Sequence, residues 1–342
     1  MINVNRILVT GGAGFIGGTL IRRLLNNTNS IIFNIDSLNY ASDLSSINSL
    51  EKAKGRHFHL NVNLKNKEET QDAIKETNPD IIFHLAAESH VDRSILGPKV
   101  FIDSNIIGTF NLLEASKNLW ETLSIEKKDK FKFIHISTDE VFGSLKNSDK
   151  FKESSKYDPR SPYSASKAAS DHLVRAWFHT YKLPTIITNC SNNYGPFQFP
   201  EKLIPLTILK AVEGKKIPIY GDGKNIRDWL YVDDHVDALI LVSQKGKIGE
   251  TYCIGDNNEK DNNYIVGEIC SILEKHIPKK IPYSSLIEYV NDRPGHDKRY
   301  AIDSTKIKKE LGWKPKIKFK DGLAKTIEWY LGNRSWCKNI IK

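Results

Sequence analysis

The chain has 342 residues, 39% hydrophobic and 27% charged, proportions that exclude a disordered polymer and allow a sizeable buried core. Against 50 Lys and Arg stand 41 Asp and Glu, a net charge of +9 spread without a basic block; this argues against a nucleic-acid partner and suits a small anionic ligand. Cys190, Cys253, Cys270 and Cys337 have no CxxC or Cys/His spacing, so neither disulfides nor a metal site is expected, and a reducing cytoplasm fits best.

From the N-terminus, short β-branched or aromatic runs at 6–10, 30–36, 57–62, 80–87, 132–138 and 184–190 alternate with helical patterns. Repeated βαβ units of this kind predict an α/β fold, a doubly wound, Rossmann-like parallel sheet with helices on both faces. The first run leads straight into glycines rather than a signal cleavage site, and no apolar run reaches a membrane span, so the chain reads as a mature protein without a membrane partner. The Lys/Ser-rich stretch 145–162 is expected as an exposed loop. After about Asn192 the alternation loosens into Pro- and Gly-rich segments. The expected division is a dinucleotide domain at 1–191, joined by a returning segment at about 229–256, and a smaller substrate lobe with a C-terminal helix within 192–342.

Gly11, Gly14 and Gly17 follow the first strand at three-residue spacing and open an apolar helix. Glycine permits the tight turn, lets backbone approach a pyrophosphate, and allows close helix–strand packing. Alone the turn could merely join two elements. Asp36 at the end of the second strand stands where a carboxylate meets ribose hydroxyls, which favours NAD over NADP.

The fifth strand ends in Ser137-Thr138-Asp139-Glu140, a hydroxyl and two carboxyls where ligands bind in open α/β sheets. Successive strand residues point to opposite faces, so both carboxyls can meet one substrate only if the backbone bends at Asp139. Further on, Tyr163 and Lys167 lie four residues apart on one helical face. Read alone, such a pair is a common exposed helix couple. As a catalytic pair, Lys167 and a cationic nicotinamide would lower the phenol by about three units, roughly 4 kcal/mol.

The segments GGAGFIG, LAAESHVDRS, STDEVFG, YSASK, NCSNNYGP, IRDWLYVDDH and DRPGHDKRYAID resemble the dTDP-glucose 4,6-dehydratase family of extended short-chain dehydrogenases/reductases, almost end to end. STDEVFG and DRPGHDKRYAID are the most specific, because related epimerases share the glycine turn and Tyr/Lys pair but lack the Asp-Glu step. The resemblance implies an NAD-dependent lyase that converts dTDP-glucose to dTDP-4-keto-6-deoxyglucose and water, as in deoxysugar biosynthesis. Tyr163 is implied as the base at the carbon-4 hydroxyl with Thr138 hydrogen-bonded nearby. Glu140 is implied as the base at carbon 5, and Asp139 as the acid at the carbon-6 hydroxyl. It also implies a homodimer through helices of the nucleotide domain, including the one that carries Tyr163.

Further cofactor contacts implied by the resemblance are Phe15 and Ile16 on the glycine turn, Ser37, Leu38 and Asn39 after Asp36, Asn61 and Val62, Leu85, Ala86 and Ala87, and Ser89, Ser104 and Asn193. Asn61 departs from the usual Asp beside the adenine, although an amide still accepts a hydrogen bond. For the substrate it implies Ser89 and Asn192 at the sugar or phosphates, Lys202 and Leu203 at the nucleotide, and Pro218, Ile219 and Tyr220 beside the base. Arg227, Asn262, Asp292, Arg293 and His296 complete the set around diphosphate and ribose, where arginine can grip phosphate oxygens as a planar fork. Without the motifs, Arg227 and Arg293 would read as ion pairs with Asp228 and Asp292. His84, His90 and His235 read as packed or hydrogen-bonded residues rather than metal ligands.

Two other readings keep the same fold: a 4-epimerase or a dehydratase of another nucleotide sugar, and a silent NAD-binding protein. Asp139 and Glu140 argue against the epimerase, and the full set Thr138, Asp139, Glu140, Tyr163 and Lys167 against the silent binder.

Overall fold

The β-branched runs fold as read: β1 (Arg6–Thr10), β2 (Ile31–Ile35), β3 (His57–Leu60), β4 (Ile81–His84), β5 (Lys132–Thr138) and β6 (Thr185–Cys190). The computed structural model describes residues 4–146 and 148–341; Asn147, within the stretch 145–162, lies outside the described residues. After β6 come β7 (Asn192–Tyr194), β8 (Ile217–Tyr220), β9 (Ile226–Tyr231), the helix Val232–Lys245, β10 (Thr251–Ile254), β11 (Glu259–Asp261) and β12 (Ile287–Val290).

Seven strands form one parallel sheet in the order β10-β6-β5-β4-β1-β2-β3. The order reverses between β1 and β4, which opens a crevice at the carboxyl ends of the strands. One face is covered by Leu20 and Leu24 of the helix Phe15–Asn27 with Val236 and Leu239. Ile74, Leu112 and Val174 cover the other. Burial on both faces explains why these strands read as continuous apolar runs.

The second lobe holds two small sheets, β11-β9-β7 and β12-β8, around a separate core that includes Ile208, Ile269 and Ile327. β9 pairs with β7 and β11, and the helix Val232–Lys245 and β10 follow it back to the large sheet. Among the described residues no helix is long and apolar enough to cross a membrane.

The stretch 145–162 is largely the exposed or half-buried loop expected of it, pinned to the fold at one point. Phe151 is buried and bridges to Ile302, with its N–H donating to the Ala301 carbonyl at 2.8 Å and its carbonyl accepting from Asp303 N–H at 2.7 Å. Its ring stacks on Phe142 at 5.2 Å. The aromatic residues inside this polar run supply apolar area that burial rewards; Lys146, Lys152 and Lys156 stay exposed, and the half-buried Lys150 pairs with Glu259 at 2.9 Å.

Candidate active site

The turn after β1 is built around close approach. Gly11 has φ 71°, and a Cβ there would stand 2.7 Å from the Ala86 nitrogen, while one on Gly17 would stand 2.2 Å from the Gly11 carbonyl oxygen. A Cβ on Gly14 would meet only the Gly11 oxygen, at 3.3 Å, and Gly14 lines the crevice. No side chain caps the helix Phe15–Asn27, so its first N–H groups stand ready for an anion. Gly12, which the spacing argument passed over, donates its N–H to Asn34 Oδ1 at 2.9 Å and has no room for a side chain.

At the far end of this cradle Asp36 accepts from Ala13 N–H at 3.0 Å and from Leu38 N–H at 2.8 Å, which fixes the carboxylate at the rim. The crevice is lined in common by Gly11, Phe15, Ile16, Gly17, Asp36, Ser37, Asn39, Val62, Leu85, Ala86, Ala87, Ser89, Ser104 and Asn193. Leu38 and Asn61 are not part of that lining; both are exposed. A glycine cradle with no room for a Cβ at Gly11 or Gly17, an uncapped helix and an anchored carboxylate fit NAD, and the carboxylate opposes a 2′-phosphate.

The catalytic segment begins where β5 stops. Thr138 ends the strand, and Asp139–Phe142 turns as a 3-10 helix, with Thr138 Oγ1 accepting from Glu140 N–H at 3.3 Å. This bend brings Glu140 to the crevice beside Thr138, Tyr163 and Lys167. Asp139 sits behind that lining, 2% exposed, with Oδ1 accepting from Thr138 Oγ1 at 3.3 Å and Oδ2 buried without a partner among the described residues. Burial, then the negative charges of Glu140 and Asp228, push the Asp139 carboxyl well above its ordinary value. Burial also raises Glu140, but Arg293, Arg227 and Lys202 oppose the rise. The two environments differ in the sense that an acid and a base require.

Tyr163 and Lys167 lie on the helix Pro162–Tyr181, started by Pro162 and by a capping box between Ser161 and Ser164. They are buried, not an exposed helix couple. The expected lowering of the phenol draws on the nicotinamide charge as well as on Lys167. Lys167 Nζ donates to the Ile136 carbonyl at 2.9 Å, and burial followed by the charge of Glu140 raises the Tyr163 phenol well above its ordinary value. Protein groups alone leave Tyr163 neutral.

The second lobe supplies the other wall. Lys202 reaches across the crevice to the Ser89 carbonyl at 3.1 Å, and Asn192 presents a buried Oδ1 without a partner among the described residues. Arg227 is buried; it donates to the carbonyls of Ile226 and Asp297 and lies 4.2 Å from the Tyr300 ring, so a surface pair with Asp228 does not form. Arg293 contacts Asp92 at 3.3 Å, while Asp292 pairs with His296 at 2.6 Å. Asp92 also accepts from the Tyr220 hydroxyl at 3.4 Å. Ile219 is turned into the lobe's core, so it can offer a ligand only backbone, whereas Pro218 and Tyr220 face outward on the opposite side of the strand. Leu203 opens the helix Leu203–Glu213 and packs against that core. Asn262 begins the helix Asn262–His276, for which Asp261 is the N-cap, accepting from Tyr264 N–H at 2.7 Å. The lining of the crevice includes Lys202 and Asn192 but not Pro218, Tyr220, Arg227, Asn262, Asp292, Arg293 or His296.

Sequence reading missed a contact across the crevice mouth. The Tyr40 hydroxyl donates to Glu201 at 3.0 Å, and the Arg93 guanidinium lies 3.6 Å from the Tyr40 ring. His84 bonds Thr10 and Thr109, His235 bonds Asn193, and His90 lies 3.4 Å from Glu201.

Residues 8–326 match the family described as GDP-mannose 4,6 dehydratase. A dTDP-glucose 4,6-dehydratase of Shigella flexneri is 54% identical over 98% of this chain and 95% of its own, and one of Neisseria meningitidis is 52% identical over 99% and 96%. The crystal structure of a dTDP-glucose 4,6-dehydratase from Streptomyces venezuelae, which contains NAD, superposes with a TM-score of 0.90 at 40% identity, covering 98% of this chain and 99% of that one. Fold and site thus define an NAD-dependent enzyme of the extended short-chain dehydrogenase/reductase class. Within that class the chain belongs to the dTDP-glucose 4,6-dehydratase family.

Proposed function

We infer that the protein converts dTDP-glucose to dTDP-4-keto-6-deoxyglucose and water. The observation that carries this reading is the bend after β5, which brings Glu140 into the crevice beside Tyr163 and leaves Asp139 buried behind it. NAD, held by the glycine cradle and Asp36, supplies when bound a positive charge near the phenol, an acceptor for the carbon-4 hydride and a donor that returns it to carbon 6.

Tyr163 takes the proton of the carbon-4 hydroxyl, with Thr138 placed to hydrogen-bond the same oxygen. The resulting ketone acidifies carbon 5, and Glu140 removes that proton as a base held beside three cationic side chains. Asp139, kept protonated by burial, delivers its proton to the departing carbon-6 hydroxyl. Arg227, Arg293 and Lys202 supply positive charge for the diphosphate and hold it from the substrate lobe.

On this reading a cofactor domain and a substrate lobe meet at a seam where the chemistry occurs. A homodimer is supported by an apolar face on the nucleotide domain, where Leu96, Val100, Ile107 and Phe110 are exposed next to the helix that bears Tyr163. Four unpaired cysteines accord with a reducing cytoplasm.

The test is mass spectrometry of the purified protein with dTDP-glucose, beside UDP-glucose and CDP-glucose. A product one water lighter from dTDP-glucose is expected. An isomeric product, or loss of water from another nucleotide sugar only, would reject the assignment.

A further inference from the structure

We propose that Asp171 is a positioning residue of the catalytic centre, which holds Lys167 as an ammonium and ties down the strand end that delivers Thr138, Asp139 and Glu140. The inference rests on the dehydratase reading above.

Asp171 lies one turn after Lys167 on the helix Pro162–Tyr181, hence on the same face, and is completely buried. A lone buried carboxylate would neutralise itself. This one has four donors from three surrounding elements. Oδ1 accepts from His135 Nε2 at 3.0 Å; Oδ2 accepts from Ser137 Oγ at 2.9 Å, Tyr157 Oη at 2.8 Å and Asn189 Nδ2 at 3.3 Å. The same Asn189 amide donates to the Thr138 carbonyl at 3.1 Å, and Lys167 to that of Ile136. Residues 135–138 are therefore held at successive points by one carboxylate, one ammonium and the amide between them, immediately before the bend.

The charges are mutually dependent. Burial raises the Asp171 carboxyl, yet the hydrogen bond from His135, the charge of Lys167 and the hydrogen bond from Tyr157 hold it below its ordinary value. Burial lowers Lys167, and Asp171 is the foremost group opposing that fall, ahead of Cys190. His135 is itself held to about 4 by burial and by Lys167, so it donates as a neutral ring. Tyr157 connects the cluster outward to Arg175 at 3.3 Å, and His84, kept neutral by burial, lies on the far side of His135. A neutral amide in place of Asp171 could preserve several of these hydrogen bonds but not the charge, so charge and scaffold can be separated.

The experiment compares Asp171→Asn, Tyr157→Phe and the wild type on dTDP-glucose across pH. Asp171→Asn is expected to keep KM within about threefold and lower kcat by roughly 10- to 100-fold, with the alkaline limb of kcat displaced toward neutrality by roughly one unit or more. Tyr157→Phe removes a hydrogen bond and leaves the charge, so its limb should stay in place. An unmoved limb in folded Asp171→Asn, or equal displacement in both variants, overturns the proposal. Should Asp171→Asn fail to fold, nitrogen NMR of isotope-labelled lysine in the wild-type holoenzyme decides: an ammonium at Lys167 at neutral pH is required, and a neutral amine overturns it. A wild type that leaves dTDP-glucose intact rejects the dehydratase reading instead, while the Lys167 spectrum still judges Asp171.

Discussion

Two adjacent carboxyls at the end of β5 face different surroundings, and a single substitution can resolve their roles. In Glu140→Gln, oxidation at carbon 4 should survive while elimination slows by roughly 10² to 10⁴. Rapid mixing that follows nicotinamide reduction beside water loss checks this, and equal loss of both steps would remove Glu140 from the role of carbon-5 base. A third carboxyl nearby, Asp228, reports on stability. Burial raises Asp228 from 3.8 to about 6, so folding takes up a proton between those values. The group's contribution is intact below 3.8 and lost as pH rises through 6, a cost of about 3 kcal/mol for the ionised form. Asp228→Asn should therefore melt near the wild type in acid and increasingly above it as pH rises through that window, with a plateau beyond it. A temperature difference that stays flat with pH would contradict this. Residues 137–143 were legible because the chemistry is contiguous in sequence. Asp92 and Asp171 were not, since their partners come from segments separated by many residues and no short motif records them.

The glycine turn makes a sharper element-level prediction than its spacing alone. A methyl at Gly17 meets backbone that cannot move aside, whereas a methyl at Gly14 meets a single oxygen at 3.3 Å on the crevice side. Gly17→Ala should lower the melting temperature and the yield of folded protein. Gly14→Ala should fold with near-wild-type melting yet bind NAD at least tenfold more weakly, as read by calorimetry; tight NAD binding there would show that the cradle does not seat the pyrophosphate at Gly14. Parallel strands buried on both faces announce themselves as apolar runs, which is why six strands were read within a few residues. The burial of Phe151 was hidden because its pairing to Ile302 is an isolated long-range bridge with no periodicity of its own. Ile219 was read as part of a wall because a three-residue segment was carried over whole, although strand alternation turns its middle side chain away.

At the scale of the whole molecule, the apolar face beside the Tyr163 helix carries the assembly prediction. Phe110 is 37% exposed and packs edge-on to Trp177 at 5.8 Å. Phe110→Glu should convert a dimer to a monomer in analytical ultracentrifugation; a wild type that sediments as a monomer would discard the dimer. The large sheet has another property, set by chain order. β10, beyond Thr251, pairs with β6, which ends at Cys190, and the substrate lobe's first strands and helix are made in between. During synthesis β6 therefore leaves the ribosome as a bare sheet edge, and its last neighbour arrives only after much of the other lobe has been translated. A stalled or cleaved product that stops short of Thr251 keeps the nucleotide cradle and the catalytic residues yet exposes that sticky edge, so aggregation in the cell should track truncation point more closely than loss of any single functional residue.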